Sequence, residues 1–104
     1  MNRQMETLRN QLAQEALLLR ERLIQYYRAK SDLEPEKGLP ELLRHISQKL
    51  TQNPPDITWL ENNMWGIYRV VSDSYLEGTI LGNDLYSFDD RTREFIKKWG
   101  SMSR

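Results

Sequence analysis

From Met5 onward the apolar residues Met5, Leu8, Leu12, Ala16, Leu19, Leu23 and Tyr26 return every three or four positions, the period of an α-helix with one buried face. No glycine or proline falls within residues 1 to 34 to interrupt it. The spacing predicts a helix over about 4–31, roughly 40 Å long at 1.5 Å per residue. Its middle is unusual, because Ala16, Leu17, Leu18 and Leu19 are consecutive and Ala13, Leu17 and Ile24 form a second stripe beside the first. A helix apolar on more than one side either runs through the centre of a bundle or is covered in part by another subunit.

Ser31 to Gly38 is turn chemistry, with Pro35 and Gly38 opposing any continuation of the helix. A short one-faced helix follows over about 40–52, started by Pro40 and carrying Leu42, Leu43, Ile46 and Leu50. The sequence TQNPP breaks it. The third helix, over about 54–76, reads as capped by Asn53 and opened by Pro54, with Ile57, Leu60, Met64, Ile67, Tyr68, Val71 and Tyr75 facing the core. Trp59, Gly66 and Val70 fall on its opposite side, so this helix also has a second apolar face, with a glycine where a neighbour could come close. Residues 78–86, with two glycines and Asn83-Asp84, read as a loop that tucks Ile80, Leu81 and Leu85 against the core. A last helix over about 88–99 is capped by Ser87, with Asp89 and Asp90 in its first turn, Lys97 and Lys98 in its last, and Gly100 ending it. Four helices and three connections in 104 residues predict one all-α domain, a four-helix up-and-down bundle with a long N-terminal helix.

The charge pattern adds asymmetry to this frame. Fifteen basic and fifteen acidic residues cancel, which does not favour nucleic acid or an anionic membrane as a partner held by bulk charge. Both ends of the chain are basic, whereas no Lys or Arg lies between Arg69 and Arg91, a stretch holding Asp73, Glu77, Asp84, Asp89 and Asp90. Two readings stay open: the acids lie against the basic ends and compensate within the fold, or they form an acidic surface for a basic partner. The chain has no cysteine, which suits a reducing compartment, and its N-terminal stretch has neither a secretory signal's apolar core nor the roughly 20 apolar residues of a membrane span, so a cytoplasmic location is the expectation.

Candidate chemistry is sparse. His45 is the only histidine and no nucleophile or carboxylate motif stands beside it, so it does not read as a general base. One histidine and no cysteine do not read as a zinc site, and the acids between 73 and 90 lack calcium-loop spacing. Gly78 and Gly82 do not form a phosphate loop. The expectation is a non-enzyme without cofactor or metal.

One stretch, Ile46 to Asn63, resembles the helix-turn-helix core of the phage-repressor family: Leu50 near the end of the first helix, a polar turn, Pro54 opening the second helix, Ile57 at its buried position, and Glu61-Asn62-Asn63 closing it. The resemblance implies a DNA-binding regulator, with Thr58, Asn62 and Asn63 facing bases. It departs from the family at Thr51 and Gln52, and no Lys or Arg occurs from Leu50 to Tyr68 to meet phosphates. In architecture alone the chain is similar to small helical bundles such as bacteriocin immunity proteins, which act by binding one partner, and that likeness implies as a second alternative an immunity-type protein neutralising a toxin partner.

These readings converge on a helical binding module or regulatory partner acting through protein contacts. The expected docking residues are Leu17 and Ile24 on the first helix and Trp59 and Val70 on the third, with a homodimer formed by antiparallel pairing of the N-terminal helices.

Overall fold

The computed structural model describes residues 3–29 and 38–102, and these are helical throughout most of their length. The helices are α1 (Arg3–Ala29), α2 (Leu39–Thr51), α3 (Ile57–Asn63), α4 (Trp65–Ser72) and α5 (Ile80–Met102). The single helix expected over 54–76 is thus divided at Met64, whose backbone stays in the right-handed helical region (φ −62°, ψ −28°). α3 and α4 act as two halves of the third rod, which keeps the all-α fold at four rods, the first of them long.

α1 supplies the frame. Leu12, Ala16, Leu19 and Leu23 are almost completely buried, and α2 and α5 both pack on this helix. Arg91 of α5 pairs with Glu15, and Arg22 pairs with Asp84, so positions rise along α1 as they fall along α5 and the two helices run antiparallel. α2 buries Leu39, Leu43, Ile46 and Leu50, as its period requires. It begins after Gly38, whose φ of +93° lies in the left-handed region that glycine adopts without strain, and the Leu42 amide bonds the Gly38 carbonyl at 2.6 Å. The expected turn over Ser31 to Lys37 lies outside the described residues.

Four expected boundaries shift. The third rod starts at Ile57, not at Pro54, because Asp56 and not Asn53 caps it: the Asp56 carboxylate accepts the Trp59 amide at 3.0 Å. It buries Leu60, Met64, Ile67 and Val71, leaves Ile57 half-buried, and exposes Tyr68 and Tyr75, which the sequence places in the core. Tyr68 sits one step round from the strict Leu60-Met64-Ile67-Val71 stripe, and α4 stops at Ser72, before Tyr75.

The largest correction concerns residues 78–86. From Ile80 onward they form the first turns of α5, not a loop. The Thr79 hydroxyl accepts the Gly82 amide at 2.9 Å and the Thr79 carbonyl accepts the Asn83 amide at 2.9 Å, so Thr79 caps the helix and Ser87 lies within it. The two glycines serve packing and the turn: Gly78 has φ +81°, and a Cβ on Gly82 would stand 2.0 Å from the Leu76 carbonyl oxygen. Leu81 and Leu85 are buried, but Ile80 is open to solvent. Asp89 is not in a first turn; it is buried within the helix, and α5 runs past Gly100 to Met102. Phe88, Phe95, Ile96 and Trp99 are buried as expected.

Two glycine substitutions separate these roles. Gly82→Ala should destabilise the fold by at least about 2 kcal/mol, because a backbone carbonyl must move to admit the methyl group. Gly100→Ala meets no atom within 4 Å and should gain up to about 1 kcal/mol of helix propensity. Urea denaturation of both variants checks this, and equal midpoints would contradict it.

Candidate interaction surface

The second face of the third rod is covered within the chain. Trp59 is half-buried and packs on α2, where the His45 ring meets it edge-to-face at 6.2 Å and the Lys49 ammonium lies 5.7 Å from its ring centre. Lys49 also reaches the capping Asp56 at 3.8 Å. Gly66 is the close approach point, since a Cβ there would stand 2.9 Å from Leu42 Cδ2 on α2. Val70 is half-buried against the core. Trp59 and Val70 therefore join α3 and α4 to the bundle instead of standing open.

α1 is different. Leu17 is 46% exposed and Leu18 66% exposed in the middle of the helix, while Ile24 is half-buried. Leu18 borders a groove of about 510 Å³ between α1 and α5, edged by Glu15, Arg22, Gln25, Asp84 and Arg91. The adjoining ion pairs, Arg22 to Asp84 and Arg91 to Glu15, hold its two walls together.

A second exposed group was not legible as such in the sequence. Trp65 and Tyr68 stand three positions apart on the outer side of α4 and are each more than half exposed, and Tyr75 in the following turn is 72% exposed. The Arg69 guanidinium lies 5.5 Å from the Trp65 ring centre, and the Trp65 indole donates to the Asn62 carbonyl at 2.7 Å. The Tyr68 ring packs on Tyr86 of α5 at 5.0 Å, and the Tyr86 hydroxyl donates to Glu77. The signal was the spacing of Trp65, Tyr68 and Arg69 beside the buried stripe, which the breadth of apolar character on the third rod obscured.

The acids of residues 73–90 divide. Asp84 is paired with Arg22, and Asp89 with Arg93, whose Nε lies 3.1 Å from the carboxylate. Burial pushes the Asp89 carboxyl above its ordinary pKa, against the opposing pull of Arg93. Asp73 and Glu77 make no ion pair among the described residues.

The remaining sequence candidates gain no catalytic geometry. His45 is half-buried beside Trp59, Arg44 and Glu41, with its Nε2 3.1 Å from an Arg44 nitrogen and 3.9 Å from Glu41. Among the described residues no three His, Asp or Glu side chains gather as a metal site would need, and no helix is long and apolar enough to cross a membrane. In the stretch that resembles a helix-turn-helix, α3 exposes Thr58, Glu61 and Asn62 but carries no cation, and the Asn63 amide is engaged by the Trp59 carbonyl at 2.7 Å. Comparison with protein-family models, with curated proteins and with solved structures finds no match.

The Tyr86 contact gives a direct readout of this corner. Donation to Glu77 is the main cause that holds the phenol protonated, with burial second, and its pKa is pushed up to about 12. Because the folded value lies above the unfolded one, the stability this contact contributes is in place below pH ~10 and is lost as pH rises through the folded value. Glu77→Gln should return the phenol toward its ordinary value of about 10, seen in the phenolate ultraviolet absorbance. A titration left unmoved by the substitution would break the assignment.

Proposed function

We propose that the protein is a non-enzymatic helical binding module that acts as a regulatory partner and pairs with a second copy through α1. The observation that carries the reading is the exposure of Leu17 and Leu18 at the centre of the longest helix, where α2 and α5 leave one flank uncovered. Solvent-facing leucines side by side on a scaffold helix suit a contact surface and do nothing for a catalytic one.

The charges on that flank suit an antiparallel pair. Glu6 and Arg28 lie eleven residues to either side of Leu17, and eleven residues are close to three helical turns, so all three share one stripe. A two-fold axis at Leu17 brings Leu17 onto its own copy and sets Glu6 of each chain against Arg28 of the other, twice. Neither Glu6 nor Arg28 is ion-paired among the described residues. With so few apolar groups at its centre, the pair belongs with weak, reversible interfaces and not with obligate dimers.

Light scattering across a dilution series tests this. The wild type should move from dimer to monomer within the micromolar range, and Leu17→Glu should be monomeric with unchanged helicity because the position is half open. Glu6→Arg should weaken the pair, and adding Arg28→Glu should restore it. A wild type that stays monomeric at tens of micromolar removes the dimer, and a Leu17→Glu protein that still dimerises places the contact elsewhere.

A further inference from the structure

The outer side of α4 and the corner that follows it suit a different occupant. We propose that Trp65, Tyr68 and Tyr86, together with Asp73 and Glu77, form a docking surface for a lysine- and arginine-bearing segment of a partner protein.

The aromatic part of the surface is prearranged. Tyr86, half-buried against the core, is fixed by its bond to Glu77, and the exposed Tyr68 leans on it at 5.0 Å, so two large rings are held in place at the surface. Ordered, exposed aromatic rings lose little conformational freedom when a partner covers them, the property that makes Tyr and Trp frequent anchors of interfaces. The chain itself demonstrates the chemistry one turn away, where the Arg69 guanidinium stands over Trp65 at 5.5 Å. An incoming cation finds the same kind of ring face at Tyr68, which no cation of this chain covers among the described residues.

Charge selects the partner's sign. Of the acids between Arg69 and Arg91, Asp84 and Asp89 are neutralised by Arg22 and Arg93, and Asp90 lies beside Arg93 and Lys97. Asp73 and Glu77 make no ion pair among the described residues: Asp73 is exposed at the end of α4, one turn beyond Arg69, and Glu77 accepts the Tyr86 hydroxyl. A nucleic acid or an anionic membrane would be repelled here, whereas a basic segment gains ring contacts and carboxylate pairing together. α4 does not touch α1, so the surface stands whether or not α1 pairs with a second copy.

The test uses the full chain and a fluorescently labelled peptide of alternating lysine, arginine and glycine, with a glutamate-for-cation peptide as control. At low salt the basic peptide should bind and perturb the NMR signals of Trp65, Tyr68, Tyr86 and the 73–77 backbone. Binding should weaken as salt rises, since exposed charges are screened over about 8 Å at physiological ionic strength. Asp73→Asn should weaken it about threefold to fivefold, and Tyr68→Ala by more than about tenfold. Glu94→Gln, an exposed acid on the far part of α5, should leave it unchanged. No binding at low salt, equal binding of the acidic peptide, or perturbations centred on other acids would each overturn the proposal, as would a peptide that acts only by displacing a second copy of the chain. The Leu17→Glu protein should bind the peptide as the wild type does, so loss of the α1 dimer and loss of this site are read separately.

Discussion

The structure depends on how α1 is covered. Its stripe of Leu12, Ala16, Leu19 and Leu23 is sealed from two sides by α2 and α5, and the third rod in turn packs on those two helices. Full burial of one leucine is worth about 1.5–3 kcal/mol, whereas an exposed ion pair such as Arg22 with Asp84 contributes at most about 1 kcal/mol. The ion pairs along the α1–α5 seam therefore fix its antiparallel register, while the leucines hold it together. Ala16 is completely buried among these leucines, and its small side chain suits a close approach of the neighbouring helices.

Covering a helix from two sides leaves a third. That geometry accounts for Leu17 and Leu18, which continue the apolar run past the edge of the core, and for the partial burial of Ile24 on the same flank. It also explains why the third rod behaves differently. α3 and α4 are short and their inner stripe faces α5, but α2 closes on their other side through Trp59, Gly66 and Leu42. Two helices with the same doubly apolar pattern thus meet opposite fates, decided by where the shortest helix of the four-rod frame lies.

α1 and α2 were legible in the sequence because a long uninterrupted period leaves one way to bury the apolar residues. The start of α5 was not, because Gly78 and Gly82 look alike in a sequence. Only the packing reveals that Gly78 serves a left-handed turn and that Gly82 sits in a helix for lack of room beside the Leu76 carbonyl. The capping error at the third rod has the same root: Asn53, Asp56 and Ser87 are all good caps, and tertiary context chose Asp56 and Thr79. Of the residues expected to dock a partner, Leu17 is open and Trp59 is taken up by α2, a distinction that depends on helix placement and is invisible to a helical wheel.

The acidic stretch illustrates how placement sorts charge as well. Compensation within the fold accounts for two of its members. Asp84 and Asp89 sit on α5, one facing α1 and the other drawn into the core beside Arg93, so their charges are compensated inside the fold. Asp73 and Glu77 sit at the corner between α4 and α5 without an ion pair among the described residues, and Glu77 accepts the Tyr86 hydroxyl. The bond from Tyr86 to Glu77 spends that carboxylate's acceptor capacity on fixing a ring that is half-buried at the edge of the core. What the corner preserves by this is an ordered pair of aromatic rings with a carboxylate bonded at its edge.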